Sequence, residues 1–275
     1  MAKMASLSRD PLLLAAVILW FGWWLAMLTI SQGVGAAPMP TIALDAIALP
    51  GAPVTLSARA DSSLDGTSLR LAMVAPGFEP PPAAVVTAGE VGFSVTAPQS
   101  VAFYPWVALD ANRESGAASP AARGQVSTGI LEVIAADRPV ILVAIDGTVS
   151  LEPFETISSE APPLLRPGTG EALSRLAASA QLVALTGIEV EYLPHLRRWW
   201  RGQRLPRVVF QLGGSEIIDN LTATVGKIDA AIVGGGRLET AARVRKLELH
   251  RIGGNSRSDW KTAADTLLLE MEKDD

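Results

Sequence analysis

From Arg138 to the C-terminus, strand-like and helix-like runs take turns, and this alternation constrains the fold more than any other feature of the chain. RPVILVAI, QLVALTG, PRVVFQL, DAAIVGGG and LELHRIG read as strands. GTGEALSRLAASA, EVEYLPHLRRWWRGQ, SEIIDNLTATVG and RLETAARVRK read as helices between them, the second with an interruption at Pro194. Buried strands joined by helices make a parallel sheet wrapped on its faces, an α/β fold. Ser258 then caps a last helix, SDWKTAADTLLLEMEK. Trp260, Ala263, Ala264, Leu267, Leu268 and Met271 form one stripe along it.

In such sheets the functional crevice lies at the carboxyl ends of the strands. Asp146, Gly147 and Thr148 follow the first strand, and Thr186 and Gly187 the second. Gly234, Gly235 and Gly236 follow the fourth, with Arg237 and Glu239 just beyond. Hydroxyls, open backbone amides and helix N-termini suit an anion. Each residue also has a plainer role. Asp146 can brace a turn, Thr186 can be a β-branched strand end, and the glycines can make a tight turn. Glu239 falls in a first helical turn, where the helix dipole favours a carboxylate.

The first half has a different texture. Residues 41–137 hold short apolar runs broken by proline, glycine and aspartate: APVTLSARA, SLRLAMVAP, AAVVTAG, VGFSVTA, SVAFYPWVAL and GILEVIA. Close spacing of short runs predicts an all-β sandwich, Ig-like or prealbumin-like. SGAASPAARG, Ser115 to Gly124, reads as an exposed loop. Asp61, Asp65 and Asp110 read as turn formers rather than calcium ligands.

Pro11 to Ile30 is a twenty-residue stretch without charge. At about 1.5 Å rise per residue, a helix of that length spans roughly 30 Å, the thickness of a bilayer core. It reads as a single transmembrane helix after a cytoplasmic N-terminus, residues 1–10, which carries Lys3 and Arg9. The positive-inside rule then places the bulk of the chain on the extracytoplasmic, periplasmic side. A cleaved signal peptide ending near VGAAP, Val34 to Pro38, is the alternative. Residues 31–40 read as a linker.

Composition narrows the chemistry. The 275 residues carry a net charge of -5, which disfavours nucleic acid as a partner. The absence of cysteine removes thiolate catalysis and cysteine metal sites. Two histidines, His195 and His250, do not support a histidine-rich zinc site, and no metal ligands are assigned. His195 reads as an ordinary helix residue and His250 as an edge-strand one. Arg197, Arg198, Arg201 and Arg204 read as the wet face of a helix whose Trp199 and Trp200 pack inward.

AIDGT, LVALTG and VGGGRLE, on their hydrophobic strands, resemble the haloacid dehalogenase (HAD) superfamily, in particular its lipin-like and phosphatidate-phosphatase-like branch. The resemblance covers about half the chain and implies a HAD-like Rossmannoid parallel sheet for residues 138–275. It implies a first strand ending in Asp-x-Asp-Gly-Thr, whose first aspartate is the nucleophile and a Mg²⁺ ligand. Ala144 holds that position. Asp146 matches the general acid and base, and Thr186 the phosphoryl-binding residue. The family lysine has no match near Glu216 to Asn220. The Gly-Asp metal ligand is replaced by Gly235, and the later aspartate aligns with Glu239.

A methyl group is neither a nucleophile nor a magnesium ligand. The resemblance therefore implies a pseudophosphatase without a cofactor, with Asp146 vestigial. It would bind a protein partner in the cell envelope or an anionic ligand at Asp146, Gly147, Thr148, Thr186, Gly187, Gly235, Gly236 and Glu239. Two alternatives stay open: a divergent Mg²⁺-dependent phosphohydrolase with Asp146 as base, and a structural envelope module.

Overall fold

The computed structural model describes residues 41–112, 126–152, 162–214, 216–253 and 258–274. They belong to one compact unit, Pro40–Asp275. The apolar run Pro11 to Ile30, the linker 31–40 and the loop Ser115 to Gly124 lie outside the described residues. Among the described residues no helix is long and apolar enough to cross a membrane.

The described residues form a mixed α/β protein with three sheets. Nine strands form the first part: β1 (Thr41–Ala43), β2 (Ala46–Ala48), β3 (Pro53–Ala60), β4 (Ser68–Met73), β5 (Ala84–Val85), β6 (Glu90–Thr96), β7 (Ala102–Asp110), β8 (Val126–Ser127) and β9 (Gly129–Val133). They make a four-stranded sheet, β6-β3-β1-β8, and a five-stranded sheet, β2-β9-β7-β4-β5. Period-two alternation drives the packing. In β6, Val91, Phe93 and Val95 turn inward while their neighbours face out. They meet Leu56, Leu71, Tyr104, Trp106 and Leu131 in one apolar core. Phe93 meets the edge of Trp106 with ring centroids 6.4 Å apart.

Asp61, Asp65 and Asp110 each accept a backbone N–H, from Ser63, Gly89 and Asn112. They hold turns, as their short polar side chains favour.

The second part is a five-stranded parallel sheet in the order β12-β11-β10-β13-β14. Its strands are β10 (Val140–Ala144), β11 (Gln181–Thr186), β12 (Val209–Leu212), β13 (Ala230–Val233) and β14 (Glu248–Arg251). The helices are α1 (Thr169–Ser179), α2 (Leu193–Gly202), α3 (Glu216–Val225), α4 (Gly236–Val244) and α5 (Trp260–Asp274). Pro194 opens α2 instead of interrupting it, because the first helical turn needs no donor from that residue. The α5 cap is Asp259, whose Oδ1 accepts the Thr262 N–H at 2.8 Å, rather than Ser258. Val140, Leu142, Ala144, Val183, Leu185 and Val233 face α3 and α4, where Ile217, Ile218, Leu221, Ala241 and Ala242 cover them.

The two parts share a core. Ile47 of β2 and Ile134, just after β9, enter the apolar cluster under α3. Beside them, Asp45 is buried where the chain leaves one sandwich sheet for the other. Its Oδ1 accepts from Arg197 Nη2 and, at 2.9 Å, from the Ile130 N–H; its Oδ2 accepts the Phe210 N–H at 3.0 Å. Arg197 also donates to Ala43 O and Ser127 Oγ. Burial pulls the Asp45 carboxyl up, opposed by Arg197 and the two backbone donors, and pulls the Arg197 guanidinium down, opposed by Asp45. Arg198, Arg201 and Arg204 are exposed and Trp199 and Trp200 buried, but Arg197 leaves the wet face to join the two parts.

Candidate functional site

Strand order reverses about β10, so the carboxyl ends of β10, β11 and β13 lie side by side. From β10 the chain turns through Ile145–Val149, where Asp146 (ψ 119°) and Gly147 (φ +69°) depart from helical geometry. That sign of φ favours glycine. The turn closes through the Ser150 N–H on Ile145 O at 3.1 Å. A short antiparallel arm then pairs Ser150 with Leu165.

Asp146 projects from this turn toward β11. Its Oδ2 accepts the Thr186 hydroxyl at 2.9 Å and the Gly187 N–H at 3.3 Å. Thr186 is fully buried, and its oxygen accepts in turn from the Ile188 N–H at 3.4 Å. Two of the donors that suit an incoming anion, the Thr186 hydroxyl and the Gly187 N–H, are thus engaged by the chain's own carboxylate.

Gly147 and Thr148 are held from outside the crevice. Arg166 donates to Gly147 O at 2.8 Å and Thr148 O at 3.2 Å. Trp260 Nε1 donates to Thr148 O at 3.1 Å. The Thr148 side chain is buried, and its hydroxyl has no hydrogen-bond partner among the described residues. It lies against Gly234: a Cβ there would fall 2.6 Å from Gly147 O and 2.7 Å from Thr148 Oγ1. Gly234 is therefore a close-packing residue, and the end of β13 abuts the turn directly.

Gly235 has φ +121° and ψ -169°, a region that disfavours any side chain. Gly236 follows at φ +79° and opens α4. Glu239 lies one turn further on, mostly buried. It pairs with Arg243 at 2.7 Å and with Arg251 Nε at 3.3 Å. A Cβ on Gly235 would lie 3.7 Å from both Glu239 Oε2 and Arg251 Nη2.

Ala144, where the resemblance implies a nucleophile, is 5% exposed and belongs to the apolar cluster with Leu142, Leu185 and Val233. The structure therefore joins Asp146, Thr186 and Gly187 through hydrogen bonds, packs Gly147 and Thr148 against Gly234, and puts Gly235 beside Glu239. Arg166, Trp260 and Arg251 were not singled out for this site from the sequence. Arg166 and Trp260 act through backbone carbonyls, which leave no pattern in residue type.

No family model matches the chain, and no curated protein matches it. Among solved structures it is similar to the M1 domain from titin, at 9% identity and TM-score 0.22, over 36% of this chain and 95% of that one. The Ig1 domain of mouse SynCAM 2 matches at 14% identity and TM-score 0.23, over 35% and 97%. Cwp6 from Clostridium difficile matches at 10% identity and TM-score 0.25, over 84% of this chain and 39% of that chain.

Proposed function

We propose that the α/β part is a HAD-like pseudophosphatase that works by binding a protein partner in the cell envelope. The observation that carries this reading is the setting of Ala144. Its methyl group is buried among aliphatic side chains, where the phosphatase mechanism needs a solvated, metal-bound carboxylate. Two further facts support it. Gly235 offers no side-chain oxygen and has a backbone that opposes a side chain. Asp146 is tied to Thr186 and Gly187. These residues do not fit a Mg²⁺ ion, which takes oxygen ligands in near-octahedral geometry.

A protein partner is favoured over a phosphorylated ligand at the crevice. An incoming phosphate would have to displace the Asp146 carboxylate, and the two negative charges would repel. The run Pro11 to Ile30 would tether the compact unit to the membrane on the extracytoplasmic side. A purely structural envelope module is the second reading. The shared core at Ile47 and Ile134, and the ion pair of Asp45 with Arg197, favour it.

The test uses the purified full chain in detergent. Hydrolysis of p-nitrophenyl phosphate and of phosphatidate is measured with and without Mg²⁺, and inorganic phosphate is titrated by calorimetry. The expected result is neither turnover nor saturable phosphate binding. Mg²⁺-dependent turnover lost in Asp146→Asn would overturn the non-catalytic reading. Phosphate binding lost in Thr186→Val would replace the protein partner with an anionic ligand.

A further inference from the structure

We propose that Glu248, His250 and Glu270 form a binding site for a divalent transition-metal ion, Zn²⁺ being the best match. The site lies on edge strand β14 and helix α5, and none of its three side chains belongs to the crevice. Glu248 and His250 are two residues apart on the strand, so their side chains share one face. Glu270 reaches the same point from α5, one helical turn beyond the buried Leu267.

The three side chains converge on one atom. His250 Nε2 is 2.9 Å from Glu248 Oε1 and 3.9 Å from Glu270 Oε2. One ligand atom from each residue lies within 4.8 Å of the other two. Zn²⁺ binds imidazole nitrogen at about 2.0–2.1 Å and carboxylate oxygen at about 2.0–2.2 Å, which puts tetrahedral ligands somewhat over 3 Å apart. Closing the triangle therefore needs only small rotamer shifts. Water would complete the coordination on the solvent side.

The scaffold limits how far these groups can separate. Trp260, Ala264 and Leu267 of α5 are each at most 2% exposed, and Trp260 is also hydrogen-bonded to Thr148 O. His250 is itself largely buried, with its side chain 13% exposed, and the Glu270 Oε2 atom is shielded from solvent. One imidazole with two carboxylates is a borderline donor set. It matches Zn²⁺ and its first-row neighbours better than Mg²⁺, which prefers oxygen throughout and keeps its waters. The plainer alternative is a histidine that is only ion-paired to two glutamates.

The experiment is a titration of ZnCl₂, and separately MgCl₂, into the tag-free full chain in detergent after removal of metals by chelation. One equivalent of Zn²⁺ should bind saturably and raise the melting temperature, whereas Mg²⁺ should not compete for it. His250→Asn and Glu270→Gln should each weaken Zn²⁺ binding roughly tenfold or more, and added Co²⁺ should give the visible absorption of a low-coordinate site. Asp146→Asn should leave Zn²⁺ binding unchanged, which separates this site from the crevice. Absence of Zn²⁺ binding, or equal binding by the wild type and the two β14–α5 variants, overturns the proposal. Circular dichroism of each variant guards against a loss caused by unfolding.

Discussion

The Asp146 carboxylate accepts the Thr186 hydroxyl at 2.9 Å, and so ties the turn after β10 to the end of β11. The bond joins residues forty positions apart at the mouth of the crevice, and Gly187 N–H adds to it on the same oxygen. An aspartate in that arrangement is a brace. Asp146→Ala would leave the buried Thr186 hydroxyl and an amide without their acceptor. A loss of about 1–3 kcal/mol is expected by urea denaturation. Thr186→Val should lose a similar amount, and the double variant should fall well short of the sum. Full additivity would show that the two residues are not coupled.

Ala144→Asp tests the apolar setting of the strand end. A carboxylate buried there without a partner is expected to destabilise the chain by about 2 kcal/mol or more at neutral pH. Added Mg²⁺ should not restore the loss, since Gly235 offers no second carboxylate. A Mg²⁺-dependent recovery of stability would show that a metal cage is still present.

Arg197→Met strands Asp45 at the junction of the two parts. Breaking a buried pair from one side typically costs about 3–5 kcal/mol. Replacing both, as Asp45→Asn with Arg197→Met, should cost less than Arg197→Met alone, because no uncompensated charge is left behind. A double variant less stable than Arg197→Met would contradict this account.

Glu132 gives the junction a pH dependence. It is 3% exposed and accepts a hydrogen bond from Gln181 Nε2 at 2.7 Å. Burial raises its carboxyl from 4.5 to about 8; the Gln181 hydrogen bond and the nearby Arg138 oppose the rise, and Asp45 adds to it. Between those values the folded chain holds a proton that the unfolded chain has released. Stability from this group is therefore lost as pH rises from about 4.5 to about 8, at up to about 1.4 kcal/mol per pH unit, and is level above. Glu132→Gln should remove that slope and gain on the wild type toward pH 8. Parallel stability–pH profiles for the two proteins would refute the assignment.

Much of the architecture was legible because its signals are local. The alternation of Val91, Phe93 and Val95 in β6 needs only seven residues to declare a half-buried strand. The stripe Trp260, Ala263, Ala264 and Leu267 needs two helical turns. Asp61 and Asp110 act on the backbone of their own turns, as their type suggests, whereas Asp65 reaches the Gly89 N–H 24 positions on. The position of Asp146 at a strand end was legible too, but its occupation by Thr186 and Gly187 was not. A carboxylate on a crevice rim has the same sequence appearance whether it awaits a ligand or is already bound to its own chain.

Arg197 marks the boundary of that legibility. Its spacing among Arg198, Arg201 and Arg204 matches a solvated helix face, yet it pairs with Asp45, 152 positions away. Glu248, His250 and Glu270 likewise carry no motif spacing, and only the packing of α5 over β14 brings them together. By itself the sequence determined which segments become strands and helices, and that position 144 offers a methyl group and position 235 no side chain. The tertiary structure decided which buried charges meet, which donors Asp146 takes up, and that Gly234 must be small. Periodicity is written within a few residues by backbone geometry, whereas ion pairs and close contacts depend on which distant elements the shared core holds side by side.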